Sequence, residues 1–200
     1  MGRPSSPLLS PDRIAVAALA LVAEHGDFTV PGLAKKLKVS PSSLYNHVSG
    51  REQIVELLRA QAMSGVDLPD DTDGDWQTAV AHIARAYRTS YARYPRLIPL
   101  LTAHAVNSDH AFRMYNTLAS ILQNARFTPR DTLRTITALD SFVLGAALDL
   151  AAPDAPWRDS DRVEPALAEA LSTGVDKGDA FEFGLTALLT GIDAAVNSRR

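Results

Sequence analysis

The stretch TVPGLAKKLKVSPSSLYNHV, residues 29–48, decides the fold of the amino-terminal part of the chain. Thr29 and Ser40 are residue types that cap helix N-termini, and Pro41 suits the first position of a helix. Only about three residues separate the helix after Thr29 from a second one that runs from Pro41 to about Val48, so the pattern predicts a helix-turn-helix. Four apolar residues share one face of the first helix: Val30, Leu33, Ala34 and Leu37.

The second helix of this motif is too polar to be explained by burial. Its aliphatic residues are Leu44 and Val48, and its other side chains after the proline are hydrogen-bonding types: Ser42, Ser43, Tyr45, Asn46 and His47. In a helix-turn-helix the second helix enters the major groove of DNA and presents its side chains to base edges. The alternative is that the tyrosine and the histidine pack against the preceding helix while the serines act as caps.

Two further helices flank the motif. Ser10 and the Pro-Asp pair after it predict a helix over residues 11–25, which Gly26 ends. Ser49 and Glu52 have the spacing of a capping box, so a fourth helix begins at about residue 50 and runs past residue 60. Residues 1–63 are therefore predicted to form one helical domain.

The rest of the chain, residues 64–200, is predicted to be a second domain made of helices. Residues 64–75 contain five Asp, two Gly and one Pro, a composition typical of a linker. No strand-like alternation follows, so the fold class is all-α. Helices are predicted over about 75–94, 96–106, from a cap at Ser108, over 129–152, 161–172 and 179–197.

Composition sets limits on the class of protein. The 200 residues are 46% apolar and 22% charged, with no Cys, so disulfides and thiolate chemistry are excluded. No apolar stretch has the length of a membrane helix, and residues 1–9 lack a secretory signal, which predicts a cytoplasmic protein. Residues 1–63 carry seven basic and five acidic side chains, whereas the remainder carries 13 and 18. The net charge of −3 therefore conceals a basic amino-terminal part.

The ordered set of residues 29–48, followed by Arg51-Glu52 and an apolar helix, resembles the DNA-binding domain of the tetracycline-repressor (TetR) family. The Leu-Ala-x-x-Leu-x-Val-Ser turn and the Leu-Tyr-x-His pair are its most specific parts. The resemblance implies double-stranded DNA as a partner, with Ser42, Ser43 and Asn46 facing the groove. It assigns the backbone phosphates to other predicted DNA-binding residues: Thr29, Lys36, Tyr45, His47 and Arg51. Lys38 departs from the family, which usually has a glycine in this turn, and is predicted to add a phosphate contact.

The same resemblance implies a homodimer on a palindromic operator. The predicted helices over 129–152 and 179–197 are apolar over much of their surface, which fits a four-helix bundle made with a second copy. The alternative is a central helix buried within one subunit. The predicted interface residues are Phe142, Leu144, Leu148, Phe181, Leu185, Leu188 and Ile192.

Polar and aromatic residues of the central helices predict a cavity for a small-molecule effector. The predicted lining residues are His82, Tyr87, Tyr91, His104, Asn107, Tyr115, Gln123 and Asp140. Asp67 and Ile121 fall where tetracycline repressors have His and Gln, so the effector is expected to be another small, largely apolar molecule. No metal site, cofactor or membrane partner is predicted, and no catalytic motif is present. The competing functions are a helical enzyme or ligand-binding protein without a role on DNA, and an interaction protein that has lost DNA binding.

Overall fold

The computed structural model describes residues 9–69, 75–153 and 162–198, and within these ranges the protein consists of ten α-helices with no strand. The predicted all-α fold is confirmed. Residues 1–8, where no secretory signal is predicted, and part of the predicted linker lie outside the described residues. The helices are α1 (Pro11–His25), α2 (Val30–Leu37), α3 (Pro41–Tyr45), α4 (Arg51–Met63), α5 (Trp76–Ala92), α6 (Leu97–Thr102), α7 (Asp109–Asn124), α8 (Pro129–Leu150), α9 (Pro165–Ser172) and α10 (Lys177–Asn197).

Local capping fixes the start of each of the first three helices. Each cap hydroxyl accepts a hydrogen bond from a backbone amide three residues ahead. The donors are the amides of Arg13 to Ser10, of Gly32 to Thr29 and of Ser43 to Ser40. These bonds satisfy amides that a helix N-terminus leaves without an intrahelical partner. The three helices then pack around fully buried aliphatic side chains: Ile14, Leu33 and Leu44.

Several predicted helix bounds differ from the structure. Helix α6 ends at Thr102 rather than at about residue 106, and α9 begins at Pro165 rather than at about residue 161. Helix α3 ends at Tyr45 rather than Val48, because the chain leaves the helix in a turn after Asn46. The Ser49–Glu52 capping box is wrong: α4 begins one residue later, and Gln53 accepts the amide of Ser49 at 2.5 Å.

Ser108 also does not act as predicted. It occupies the N-cap position of α7, but its hydroxyl makes no capping bond. Burial leaves this hydroxyl oxygen without a hydrogen-bond partner in the described part of the chain.

Helix α4 connects the helix-turn-helix to the rest of the protein. It packs against α1 on one side and against α5, α6 and α7 on the other. Its buried residues Ile54 and Leu58 belong to a hydrophobic core that continues into the carboxyl-terminal helices. A displacement of the neighbouring helices is therefore transmitted to α4 by direct packing.

The carboxyl-terminal helices pack around α8. Helix α5 lies along α8, and α7 and α10 also pack against it. Helix α9 differs, because it has no buried residue of its own. In the described ranges no single helix has the length and apolarity to cross a membrane; α1 and α2 pass that test only when joined, and they meet at a bend of 115°.

Candidate nucleic-acid interface and effector cavity

Helix α3 and the turn after it present polar side chains to solvent. Tyr45 is 54% exposed although it is large and aromatic, and Asn46 and His47 are exposed beside it. Leu44 and Val48 are buried and hold the segment against the domain core. The structure thus does not support the alternative in which the tyrosine and the histidine pack against α1.

The three serines of this segment form a small hydroxyl network. The hydroxyl of Ser40 lies 2.8 Å from the hydroxyls of both Ser42 and Ser43. Ser42 is exposed and Ser43 is half-buried. A hydroxyl can donate one and accept two hydrogen bonds, so these contacts leave capacity for a ligand while they fix the side chains in place.

A basic surface accompanies α3. Lys35 and Lys36, in the last turn of α2, are exposed, and so is Lys38 in the turn between the two helices. Lys38 ends α2 in the left-handed conformation, with φ 58° and ψ 42°. Glycine adopts this conformation at a lower cost than lysine because it has no Cβ.

Replacing Lys38 by glycine is expected to raise the free energy of unfolding by up to about 1 kcal/mol, since the strain of a left-handed lysine is removed. Urea unfolding of the two proteins measures the difference. The Lys38→Asn variant is the control for the loss of the lysine charge. It lacks this charge as the glycine variant does, and asparagine also tolerates the left-handed region. A destabilised glycine variant would contradict the explanation by backbone strain.

Arg51 is half-buried, and its guanidinium is engaged by the loop before α2. Its Nη2 lies 2.6 Å from the Asp27 carboxylate, its Nη1 donates to the carbonyl of Phe28, and its guanidinium stacks 4.5 Å from the Phe28 ring centroid. Burial raises the pKa of Asp27, but the hydrogen bonds from Arg51 and from the Phe28 amide outweigh it and leave the pKa lowered. Arg51 therefore fixes α4 to the loop before α2, and its contact with a phosphate stays a prediction.

A cavity of about 540 Å³ lies among α4, α5, α6, α7 and α8. Five of the eight predicted effector residues line it: Tyr87, Tyr91, His104, Tyr115 and Asp140. The other three do not. His82 is exposed and pairs with Asp67 at 3.2 Å, Gln123 is exposed on α7, and Asn107 lies outside the cavity near Glu56.

The use of helical spacing alone explains why these three predictions are wrong. It shows which residues share a face of one helix, but not which face borders a cavity that several helices enclose. The remaining wall of the cavity is mostly apolar and includes Ile98, Leu101, Val106, Leu144 and Leu148.

The polar end of the cavity is built around Asp140. One oxygen of its carboxylate, Oδ1, accepts hydrogen bonds from the hydroxyls of Tyr87 and Tyr115, at 2.7 and 3.0 Å. Tyr91 packs edge-on against Tyr87, with 4.8 Å between ring centroids. Burial raises the pKa of Tyr91 to about 12, and burial together with the charge of Asp140 raises the pKa of Tyr115. The tyrosines are thereby kept as neutral hydrogen-bond donors.

Tyrosine ionisation is expected to be suppressed in the folded protein. A raised pKa in the folded state means that stability from these tyrosines is complete below about pH 10 and is lost as the pH rises toward 12. At about pH 11 the folded protein should show less tyrosinate absorbance than the protein in urea. The Tyr115→Phe variant lacks one of the tyrosines with a raised pKa, so its difference in tyrosinate absorbance between the folded protein and the protein in urea should be smaller. Identical titration curves for the folded and unfolded protein would contradict the buried arrangement.

Arg59 joins this cavity to the linking helix α4, a role that helical periodicity does not predict. Its Nη2 donates to the carbonyls of Leu101 and His104 at 3.0 and 3.2 Å, at the end of α6. Its Nε lies 3.2 Å from both carboxylate oxygens of Glu56, and Glu56 accepts the amide of Asn107 at 3.0 Å. The Arg59 and Glu56 side chains are only 6% and 14% exposed. The one signal for this pair in the sequence is the spacing of three residues between opposite charges.

The predicted dimer residues fall into three groups. Phe181 and Leu185 are buried within the subunit, where Phe181 stacks on Phe142 with 5.4 Å between centroids. Leu144 and Leu148 line the cavity. Leu188 and Ile192 are half-buried against the core.

Of the predicted dimer residues, Leu148 is left 41% exposed, but the two most exposed large apolar residues on α8 and α10 are not among those predicted. Phe183 on α10 is 78% exposed and Leu133 on α8 is 67% exposed. Small residues continue the exposed face of α10 at helical spacing: Ala187, Gly191 and Ala194. An exposed phenylalanine beside small residues is typical of a surface that another helix covers.

Comparisons with known proteins agree with this architecture. Residues 68–196 match the sequence profile of the tetracyclin repressor-like C-terminal domain. The chain is 24% identical to the HTH-type transcriptional repressor DrrR1 of Streptomyces coeruleorubidus, over 99% of this chain and 83% of the relative. It is 27% identical to the tetracycline repressor protein class D of Escherichia coli, over 95% and 92% of the two chains.

Among solved structures, apo ActR from Streptomyces coelicolor superimposes with a TM-score of 0.79 at 20% identity, covering 98% of this chain and all of the other. This similarity shows the fold. The matched domain profile spans more than half of the chain, so the resemblance in the sequence is confirmed: the protein belongs to the tetracycline repressor-like (TetR) family.

Proposed function

We propose that this protein is a ligand-responsive transcriptional repressor, which binds a palindromic operator as a homodimer and is released by a small molecule. The observation that carries the proposal is Arg59, because one side chain lines the cavity, belongs to the helix next to the DNA-binding motif and holds the end of α6. Residues 1–63 would form the DNA-binding domain and residues 64–200 the effector-binding and dimerisation domain.

The exposed polar surface of α3 supports DNA as the partner. Ser42, Tyr45 and Asn46 project from the domain without an internal packing role, and exposed lysines lie beside them on α2 and in the turn. Base edges in the major groove offer donors and acceptors to such side chains, and phosphates attract the lysines. Tyr45 and His47, with Thr29 and Lys36 from α2 and its cap, are assigned to the sugar-phosphate backbone.

The link between the two activities runs through both ends of α6. At its carboxyl end Arg59 binds the Leu101 and His104 carbonyls, and before its amino end Arg96 donates to the Glu24 carbonyl of α1 at 2.7 Å. A ligand that displaces the α6 wall of the cavity shifts α4 and α1 together. The spacing of the two recognition helices in the dimer then changes, and the pair no longer fits successive grooves. The ligand acts only through its different affinity for the two arrangements.

Binding to DNA from upstream of the protein's own gene, compared with an unrelated duplex over a series of salt concentrations, tests the function. Preference for the upstream fragment, with an affinity that falls steeply with salt, is the expected result. Equal and feeble binding to both duplexes would favour a ligand-binding protein without a role on DNA.

Two alanine variants separate base reading from phosphate contact. Asn46→Ala is expected to cost about 1–3 kcal/mol of binding on the preferred site and to relax the choice of one base pair, because Asn can pair with an adenine edge. Lys36→Ala is expected to weaken binding to all duplexes alike and to reduce the salt slope by about 1. Fluorescence anisotropy on single-base operator variants distinguishes them. An Asn46 variant with unchanged base preference would remove this residue from the reading set.

A further inference from the structure

We propose that the cavity takes a hydrophobic organic cation: a protonated amine on an aromatic or alicyclic skeleton, with its ammonium group on Asp140 between the tyrosines. The proposal rests on the proposed function in treating the cavity as the effector site, and it names the chemical class of that effector. It is carried by the charges, the hydrogen bonds and the shape of the cavity wall.

The carboxylate of Asp140 lies in the cavity wall, and no cationic side chain of the described residues pairs with it. Its Oδ1 accepts two tyrosine hydroxyls, whereas its Oδ2 has no hydrogen-bond partner in the described residues. A carboxylate has about four acceptor positions, so Asp140 retains capacity for a donor from a ligand. A charged donor forms the stronger hydrogen bond, because both partners then carry charge.

The cation in the wall is already paired. Arg59 is engaged by the Glu56 carboxylate and by two backbone carbonyls of the chain after α6. His104 contacts the Leu100 carbonyl through its Nδ1 at 2.8 Å. Glu56 lies outside the lining of this cavity but neutralises Arg59 through their ion pair, so the carboxylate of Asp140 has no cation of its own in the described residues. An anionic ligand would meet this charge, whereas a cationic ligand neutralises it.

The tyrosines add an attraction of their own. Aromatic faces attract cations electrostatically, and the effect grows when the cation is removed from water. Tyr87 and Tyr91 are buried and Tyr115 is partly buried, and all three line the same cavity as Asp140. The apolar remainder of the wall, which includes Ile98 and Leu144, can receive a hydrophobic skeleton. A volume of about 540 Å³ lies within the range of pockets for drug-sized ligands.

Three probes with one skeleton test the assignment by calorimetry on the full-length protein without DNA: naphthylbutylamine, naphthylbutanol and naphthylbutanoic acid. At neutral pH they present a cation, a neutral donor and an anion on the same hydrophobic body. The amine is expected to bind at least about ten-fold more tightly than the alcohol, and the acid more weakly than either. An alcohol or acid that binds as tightly as the amine overturns the proposal, and so does an amine that fails to bind at about 1 mM.

A matched pair of variants on α8 tests whether Asp140 causes the preference for the amine. Asp140→Asn keeps an acceptor for both tyrosines and removes the charge, so it is expected to abolish the preference for the amine over the alcohol. Asp149→Asn makes the same change on the same helix, outside the walls of this cavity, and is expected to leave the preference intact. Circular dichroism and thermal unfolding verify that both variants fold. A preference that survives in Asp140→Asn overturns the proposal.

The organic-cation ligand and the repressor function are tested by different experiments. The calorimetric test contains no DNA, so amine selectivity measured there stands whether or not an operator is found. Conversely, specific operator binding without amine selectivity retains the repressor and rejects the organic cation as its effector class.

Discussion

Replacing Arg59 by leucine is expected to lower the free energy of unfolding by about 3–5 kcal/mol, because the variant leaves Glu56 as a buried charge without its partner. The loss also removes the side-chain donor for the Leu101 and His104 carbonyls, of which the Leu101 carbonyl keeps the backbone amide of His104 at 3.2 Å. A loss of this size is a large share of the total free energy of unfolding of a domain, so urea unfolding can measure it directly.

The double variant Glu56→Gln with Arg59→Leu is the control for charge burial. It removes both charges while Gln keeps an acceptor for the Asn107 amide, and it is expected to recover part of the lost stability. Arg59→Lys keeps the charge but not the planar fork that reaches the carboxylate and the carbonyls together, so an intermediate loss is expected. A single leucine variant as stable as the double variant would show that the pair contributes packing alone.

Helix starts could be predicted from the sequence because they depend on neighbouring residues. The caps at Ser10, Thr29 and Ser40 are all predicted, and each accepts a hydrogen bond from the amide three residues ahead. The failure at Ser49 has the same local origin. The chain offers Glu52 and Gln53 as successive acceptors, and the pattern alone does not choose between two registers that differ by one residue.

Polar contacts over long distances along the chain could not be predicted. Arg51 meets Asp27 across 24 residues, and Arg59 meets the Leu101 carbonyl across 42. Periodicity assigns a residue to a face of its own helix, but it does not identify the partner that another helix brings to that face. For this reason the sequence assigns Arg51 to DNA without indicating its ion pair with Asp27, and Arg59 is missed although it joins the cavity to the linking helix.

The dimer surface illustrates the same limit for apolar residues. Phe181 and Phe183 lie two positions apart in one helix, and the sequence gives no reason to prefer either as the interface residue. The subunit buries Phe181 against Phe142 and Arg88 and leaves Phe183 in solvent. The residue without an internal partner is the better candidate for a contact between copies.

The Phe183→Glu variant is expected to be a monomer at micromolar concentration. In a two-fold interface the same surface meets its copy, so one substitution places two carboxylates in the contact. Each would have to lose water without gaining a cation, which costs several kcal/mol per charge. Sedimentation velocity of the variant beside the unmodified chain measures the change in assembly.

Operator affinity of the Phe183→Glu variant is expected to fall by about 10²- to 10⁴-fold, because two half-sites held by one dimer bind as a single event. Phe112→Glu on α7 is the matched control, since Phe112 is also an exposed phenylalanine but lies outside α8 and α10. The control is expected to remain dimeric and to keep its affinity. If Phe183→Glu stays dimeric, the interface lies elsewhere. If it is monomeric yet binds the operator with unchanged affinity, each half-site is read independently, and a ligand cannot release the protein by changing the spacing between two recognition helices.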